Sequence, residues 1–326
     1  MSIKLGSKER VLRSIEGRDI DRVPCFFRAE HEVVGTLMRK LRLKSPKEVE
    51  AHFGSDAIHT QTDADCSKFP NLKGIEKAEQ VDSAPWPRGS ETIDIQKAVK
   101  EAKDVRSTDL AVYGGVWTSV FTHSRQLIGE EKYLLSMVEN PDLIDRIIHK
   151  LTDLYIEANE ALFSQCAKDI DIFYFGSDIG TQQSMFFGLE MFRRFFKPSL
   201  KRLTAHAKGF GLKVMFHTCG AVSGIIDDLI ECDIDILDPV QVSARGMKPS
   251  ELAQKFKGRI AFHGGISTQS TLPFGEPQIV REEVFETIKT LGPLGYIVAP
   301  EQHLIGDIPL TNIEEMYDVV RSYQVD

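Results

Sequence analysis

Cysteine is scarce in this sequence, and the few cysteines present form no framework. The 326 residues contain five of them, an odd number at irregular spacing and without a Cys-x-x-Cys pair. Disulfide scaffolds are short chains with an even number of cysteines at regular spacing. We therefore exclude such a scaffold, and two roles remain open for these residues, that of a free thiol and that of a metal ligand. The five are Cys25, Cys66, Cys166, Cys219 and Cys232.

The sequence also lacks a block of basic residues, a long apolar run and an apolar N-terminal segment. Its net charge is −8, and it has no cluster of Lys and Arg of the kind that binds nucleic-acid phosphates. No stretch reaches the roughly 18 apolar residues that a membrane helix needs. The polar start from Met1 to Arg10 lacks the apolar core of a signal peptide. We expect a cytoplasmic protein that binds neither nucleic acid nor a membrane.

What the sequence does contain is a regular alternation of short apolar runs with longer segments of helical period. Continuous apolar runs are typical of parallel strands that are covered on both faces. No Gly-x-Gly-x-x-Gly follows the first run, which favours a closed barrel over a doubly wound open sheet. We predict an α/β fold with one domain over residues 1–326, a parallel eight-stranded (β/α)8 TIM barrel. The predicted strands are Val23–Phe27, Ala57–Gln61, Val112–Val116, Ile170–Phe175, Lys213–His217, Ile234–Pro239, Ile260–His263 and Tyr296–Ala299.

One stretch breaks this alternation. Residues 65–103 are rich in proline, glycine and charge, and they are longer than an ordinary loop between a strand and a helix. We predict that this stretch is an insertion near the active site and a candidate lid.

Polar side chains recur where the predicted strands end, and in a barrel the chemistry lies at these C-terminal ends. The sharpest pattern is His217-Thr218-Cys219, because residues i and i+2 point to the same side and because imidazole and thiolate suit zinc. A third ligand must come from another strand end, where Glu301 and His303 are candidates. The alternative is a half-buried Cys219 and a His217 that is hydrogen-bonded to backbone.

Other strand ends supply candidates for catalysis and substrate binding. Asp178 and Glu301 are the predicted catalytic residues, since carboxyl groups serve as general acids and bases. Arg28 is a candidate anchor for a substrate carboxylate, with an ion pair to Glu30 as the alternative. The predicted metal ligands are His217, Cys219 and His303. The predicted substrate-binding residues are Arg28, Gln182, Gln241, His263 and Gln302.

Taken in order, the motifs at these strand ends resemble those of the uroporphyrinogen decarboxylase superfamily. The similarity runs from about Arg22 to the end of the chain, and it implies an eight-stranded barrel. The motifs are Gly176-Ser177-Asp178-Ile179-Gly180-Thr181-Gln182, Phe216-His217-Thr218-Cys219-Gly220, Asp235-Ile236-Leu237-Asp238-Pro239-Val240-Gln241, Phe262-His263-Gly264-Gly265-Ile266, Val298-Ala299-Pro300, and Asp307-Ile308-Pro309-Leu310-Thr311-Asn312-Ile313.

The resemblance implies one of two functional arms. True uroporphyrinogen decarboxylases carry a Met-Arg-Gln-Ala-Gly-Arg-Tyr stretch, and this chain has Phe27-Arg28-Ala29-Glu30-His31-Glu32 in that place. Only Arg28 matches, although a substrate with eight carboxylates needs several cations. The other arm holds cobalamin-dependent methyltransferases, which move methyl groups between a corrinoid protein and a thiol, or from methoxy and methylamine donors onto the corrinoid. We expect this chain to be closer to that second arm.

Several methyltransferases of this arm hold zinc with His-x-Cys and a distant cysteine. His217 and Cys219 match the first two ligands, and Gln302 stands where the distant cysteine is expected, so His303 or Glu301 is the implied substitute. We therefore expect a zinc-dependent methyltransferase with a small-molecule substrate, a corrinoid (cobalamin) protein as partner and a homodimer as the candidate assembly.

Two alternatives remain open. One is a uroporphyrinogen decarboxylase-like decarboxylase or lyase that acts on a smaller carboxylic acid, with Arg28 as the anchor and Asp178 as the proton donor. The other is a barrel without catalytic activity that binds a small molecule or a corrinoid.

Overall fold

Seven parallel strands form one sheet whose order follows the chain from β1 to β7. This computed structural model describes residues 4–325. Each of the last seven predicted strands overlaps an observed strand, and the prediction for β4 has the observed bounds. The strands are β1 Ala57–Asp63, β2 Ala111–Trp117, β3 Ile172–Gly176, β4 Lys213–His217, β5 Ile236–Val240, β6 Ala261–Ile266 and β7 Tyr296–Pro300.

The predicted first strand, Val23–Phe27, is not a strand in the structure, so the prediction of eight strands is not confirmed. This segment forms one isolated bridge, between Cys25 and Val298 of β7. Pro24 has no N–H to donate. The N–H groups of Cys25 and Phe27 are bound by the side chains of Asp56 and Ser55. Because side chains take the donors that a ladder needs, the segment lies between β7 and β1 without regular pairing.

Helices follow the strands and cover the outer face of the sheet. Fifteen α-helices occur among residues 4–325: α1 Ser7–Ile15, α2 His31–Leu41, α3 Pro46–His52, α4 Ala78–Asp82, α5 Ile95–Arg106, α6 Val120–Ile128, α7 Glu130–Glu139, α8 Pro141–Cys166, α9 Leu189–Met191, α10 Lys197–Gly209, α11 Ile226–Glu231, α12 Pro249–Phe256, α13 Thr271–Phe274, α14 Pro277–Leu291 and α15 Leu310–Ser322. Short 3-10 helices span Cys66–Lys68, Gly89–Thr92, Ala167–Asp169 and Ser223–Ile225, and a π-helix spans Phe192–Phe196.

Two hydrophobic clusters hold the fold together, one on each face of the sheet. The larger one fills the space between the strands and the helices. The smaller one lies inside the curve of the sheet and takes side chains from all seven strands, together with Val11 of α1 and Phe26. Because α1 also packs against β1, β2 and β7, it covers the N-terminal ends of the strands. The C-terminal ends remain available for a site.

The stretch 65–103 lies against the outer helix α8. Helix α4 packs on α8, where Arg146 pairs with Asp82, and the N–H of Gly89 donates to Glu157. Helix α5, which begins inside the stretch, packs on β1 and β2 as an ordinary connecting helix. The extra residues are therefore those between β1 and α5.

Candidate active site and metal centre

A cavity of about 470 Å³ opens at the C-terminal ends of the strands. This volume lies within the range of small-molecule sites. Its position agrees with the expectation that the chemistry gathers at the strand ends. The lining residues are Arg28, Glu30, His59, Gln61, Asp63, Trp117, Tyr174, His217, Gln302, His303 and Ile305.

The buried carboxylate of Asp238 is the centre of a hydrogen-bond network beneath this cavity. Tyr174 donates its hydroxyl to Oδ2 at 2.9 Å, and His217 Nδ1 lies 2.6 Å from the same oxygen. His263 Nδ1 lies 2.6 Å from Oδ1, and Arg28 donates to both oxygens at 3.1 and 3.3 Å. Asp238 thereby joins β5 to β3, β4, β6 and the segment before α2.

The neighbours of Asp238 keep its carboxyl group ionised. Burial by itself would raise the pKa of this carboxyl, but the charges of Arg28 and His263 and the hydrogen bond from His217 lower it well below its usual range. Burial would likewise lower the pKa of His217, whereas Tyr174, Asp178 and Asp238 raise it well above its ordinary value. A cation at the His217 ring, whether a proton or a metal ion, is therefore stabilised by the carboxylates beside it.

Three potential metal ligands converge at the edge of the cavity, namely Asp178, His217 and Cys219. Their ligand atoms all lie within 4.8 Å of one another. His217 Nε2 is 3.4 Å from Asp178 Oδ1 and 3.4 Å from Cys219 Sγ. Because Nδ1 of His217 faces Asp238, Nε2 is the ring nitrogen that points to the other two ligands.

Two glycines allow the loops after β3 and β4 to approach each other here. A Cβ atom at Gly180 would lie 2.5 Å from the carbonyl oxygen of Cys219, and one at Gly220 would lie 2.5 Å from the backbone of Gly180. Gly220 also has a φ of +95°, a conformation that favours glycine. The N–H of Cys219 donates to Asp178 at 3.0 Å, which fixes the carboxylate beside the thiol.

Two of the predicted metal ligands are in this cluster, and the third is not. His303 lines the cavity, but its Nδ1 pairs with Glu30 at 2.9 Å instead of joining His217 and Cys219. Glu301, the alternative third ligand and a predicted catalytic residue, is fully buried outside the cavity lining. Its carboxylate is hydrogen-bonded to Ser243, Ser267 and Thr268, so it ties three loops together. Asp178 is the third residue of the cluster with His217 and Cys219.

The predicted substrate-binding residues divide into two groups. Arg28 and Gln302 line the cavity, and Gln302 Nε2 donates to Cys219 Sγ at 3.1 Å. His263 lies below the cavity against Asp238, with its Nε2 unpartnered in the described part of the chain. Gln241 is buried and accepts the N–H of Gly220 at 2.7 Å, which supports the loop of Cys219. Gln182 is an exposed loop residue outside the lining.

Several residues of the cavity and of the network beneath it have no role that was predicted from the sequence. His59, Gln61 and Asp63 alternate along β1, and this period of two is the signal that could have shown a polar inner face. Tyr174 lies inside an apolar strand, where no local signal marks it. Asp238 lies near the end of the predicted strand Ile234–Pro239, but nothing in the sequence distinguishes the centre of a network from an ordinary strand end. Burial, together with the charge of Arg28, lowers the pKa of His59 to about 3, so this ring is neutral.

The stretch 65–103 contributes no residue to the cavity lining within the described chain. Its role as a lid therefore remains a prediction. Among residues 4–325, no helix combines the length and the apolar character that crossing a membrane requires.

Comparisons with known proteins agree with the fold and point to one family. The model of the uroporphyrinogen decarboxylase (URO-D) family matches residues 58–323. A methyltransferase from Methanosarcina mazei superposes with a TM-score of 0.73 at 17% sequence identity, over 98% of this chain and 99% of that one. No curated protein matches the sequence.

Two further solved structures are less similar to this chain. A D-psicose 3-epimerase from Clostridium cellulolyticum H10 has a TM-score of 0.46 at 12% identity, over 84% of this chain and 90% of its own. A B12-independent methionine synthase from Shewanella sp. W3-18-1 has a TM-score of 0.42 at 14% identity, over 68% of this chain and 66% of its own.

Proposed function

This chain belongs to the uroporphyrinogen decarboxylase family, and we propose that it is a zinc-dependent methyltransferase that moves a methyl group between a small donor or thiol and a corrinoid protein. The observation that carries the proposal is the cluster of Asp178, His217 and Cys219 at the edge of a strand-end cavity. The likeness to the Methanosarcina mazei methyltransferase over almost the full length of both chains is in keeping with it.

The residues of the cluster fit a zinc ion. Zinc in proteins accepts carboxylate oxygen, imidazole nitrogen and thiolate sulfur, and catalytic sites pair three protein ligands with an open position. Asp178, His217 and Cys219 provide one ligand of each kind. A zinc ion held there would supply Lewis-acid activation of a thiol or of a leaving oxygen.

The surrounding residues prepare these ligands. Asp238 binds His217 Nδ1 and so presents Nε2, an arrangement common behind histidine ligands of metals. Gln302 donates to the sulfur of Cys219, which stabilises the negative charge of a thiolate. Arg28 lines the cavity and helps to keep the carboxyl group of Asp238 ionised. The proposal includes a corrinoid protein as partner. This protein would bind over the C-terminal ends of the strands, where the methyl group would pass between the corrinoid and the small molecule in the cavity.

A decarboxylase that acts on a small carboxylic acid is the second candidate. It is favoured by Arg28, which lines the cavity and whose Nε has no hydrogen-bond partner in the described residues. Glu30 and Asp63 also line the cavity, however, and they disfavour a substrate with many carboxylates. Release of carbon dioxide from small acids, without any change in a cobalamin spectrum, would support this candidate over the first.

Metal content is the experiment that tests the proposal. Protein reconstituted with zinc and dialysed is expected to hold one zinc per chain, and His217→Ala, Cys219→Ser and Asp178→Asn are each expected to lose most of it. His303→Ala is the matched control for the histidine, because His303 pairs with Glu30, and Cys66→Ser is the control for the thiol. Both controls are expected to retain zinc.

Two results would contradict this assignment. The first is a wild-type protein that holds no zinc after reconstitution. The second is a His303→Ala variant that loses zinc as completely as Asp178→Asn does. Methyl transfer itself is then measured through the cobalamin absorption spectrum with thiol, ether and amine donors. A zinc-loaded protein that changes the spectrum with none of them would overturn the methyltransferase assignment.

A further inference from the structure

We infer that the small substrate carries a cationic ammonium head group, which binds between the carboxylate of Asp63 and the indole face of Trp117. The inference deepens the proposed function and rests on it for one point, that the reacting end of the substrate lies at the cluster of Asp178, His217 and Cys219. The head-group site itself is defined by other residues of the cavity.

The charges that line the cavity favour a cation. Two carboxylates, Glu30 and Asp63, line the cavity together with the guanidinium of Arg28 and the ring of His217. The charge of Arg28 is already matched by the buried Asp238, which it contacts through two nitrogens, and a cation at the His217 ring is matched by Asp178. The carboxylate of Glu30 is hydrogen-bonded to the ring of His303 at 2.9 Å, whereas that of Asp63 has neither a side-chain hydrogen bond nor an ion pair within residues 4–325. Asp63 is therefore the lining carboxylate left free for a ligand.

An aromatic wall, formed by the rings of Trp117, Tyr174 and His59, begins next to the carboxylate of Asp63. Asp63 and Trp117 are direct partners in the pairing of β1 with β2, so carboxylate and indole are neighbours at the strand ends. The Trp117 ring is 5.5 Å from that of Tyr174, and the Tyr174 ring is 4.9 Å from that of His59. An ammonium group within about 6 Å of an aromatic centroid is attracted to the face of the ring, most strongly to tryptophan.

The same wall leads to the metal cluster. The ring of Trp117 lies 5.8 Å from the ring of His217, whose Nε2 faces Asp178 and Cys219. A compact molecule can therefore place an ammonium group on Trp117 and a thiol or methyl-bearing atom at the cluster, with a short linker between them. An anionic head group at the same point would meet the unpaired charge of Asp63.

Three thiols with the same reacting end and different head groups test this inference. Cysteamine is positive, β-mercaptoethanol is neutral and mercaptoacetate is negative at neutral pH. Isothermal titration of the zinc-loaded protein is expected to give a dissociation constant for cysteamine at least about ten-fold lower than those of the other two. Asp63→Asn is expected to abolish this preference, and Trp117→Leu to reduce it.

The control variant is Asp65→Asn, which removes an equal charge two residues away and outside the cavity lining. It is expected to change the preference by no more than about two-fold. The inference is overturned if the neutral or negative thiol binds as tightly as cysteamine, if no cysteamine binding is measurable, or if Asp65→Asn acts like Asp63→Asn.

A second titration separates this inference from the proposed function. Tetramethylammonium has a head group and no reacting end, and it is titrated into protein that has been stripped of metal with a chelator. Binding that depends on Asp63 and Trp117 supports the head-group site even if the protein proves to hold no zinc and to transfer no methyl group. Zinc binding and methyl transfer without any preference for cations would leave the proposed function intact and overturn the head-group site.

Discussion

The two ends of the strands each contain a buried aspartate bound by arginine, and they use it differently. At the N-terminal ends, Asp56 accepts from Arg10, from both terminal nitrogens of Arg22 and from the N–H of Cys25. At the C-terminal ends, Asp238 accepts from one arginine, Arg28. Its other partners are a tyrosine and two histidines, Tyr174, His217 and His263.

The difference lies in the partners. Asp56 is bound by guanidinium and backbone groups that do not change their charge, and none of its neighbours Arg10, Asp21 and Arg22 has a buried polar atom without a partner within residues 4–325. The Asp238 network does leave such atoms, Arg28 Nε and His263 Nε2. A closed and fully satisfied network stabilises a fold, whereas an incompletely satisfied network beside a cavity can bind a ligand.

The largest effect is expected from breaking the Asp56 network at the N-terminal ends of the strands, which we call the closed end. Asp56→Ala removes the carboxylate that Arg10 and Arg22 share, which leaves Arg10 with Asp21 alone and Arg22 without an ion pair in the described residues. We expect the free energy of unfolding to fall by about 3–5 kcal/mol, measured by urea denaturation followed by circular dichroism. Asp104→Ala, which breaks the exposed pair with Lys100, is the control and should cost less than about 0.5 kcal/mol. Equal losses in the two variants would contradict a structural role for Asp56.

The corresponding change is made in the Asp238 network at the C-terminal ends of the strands, which we call the open end. It is expected to weaken zinc binding. Asp238→Asn removes the charge that orients His217 and so lowers zinc affinity by up to about 100-fold, measured by competition with a chromophoric chelator. Asp21→Asn serves as the control at the closed end and should leave zinc affinity within about two-fold. If Asp21→Asn weakens zinc binding as much as Asp238→Asn does, the two ends are not separate in function.

The sequence predicts the strands well because buried parallel strands are continuous apolar runs. It fails for Val23–Phe27, which has the same pattern. There the N–H groups bind the side chains of Ser55 and Asp56, about 30 residues further along the chain, and a local pattern does not contain such a contact. The bounds of β4 and the placement of the cavity at the strand ends follow from local pattern alone.

The candidate site was only partly predictable for the same reason. His217 and Cys219 are two residues apart at the end of one strand, so the alternation of side chains brings them together. The third member of the cluster of potential ligands depends on how two loops approach each other, through Gly180 and Gly220, and this approach brings Asp178 to His217 and Cys219, where the sequence suggests His303. Contacts between strand ends are set by packing, which spacing along the chain does not describe.

The smallest effect is a dependence on pH that belongs to the closed end. Burial by itself would raise the pKa of Asp21, but hydrogen bonds from Arg10 and from the N–H of Leu5 lower it from 3.8 to about 2. Because the folded pKa is depressed, the stabilisation is fully present above about pH 4 and is lost as the pH falls towards 2. It amounts to about 2 kcal/mol.

Asp21→Asn lacks this titration and therefore isolates it from the other acidic groups that protonate in the same range. We expect the variant to be less stable than the wild type by about 2 kcal/mol at pH 7. We expect the two unfolding free energies, measured by urea denaturation at each pH, to converge between pH 4 and 2. A difference that stayed constant down to pH 2 would mean that Asp21 acts through packing alone. The closed end would then owe its stability to Asp56 and not to a network of charges that includes Asp21.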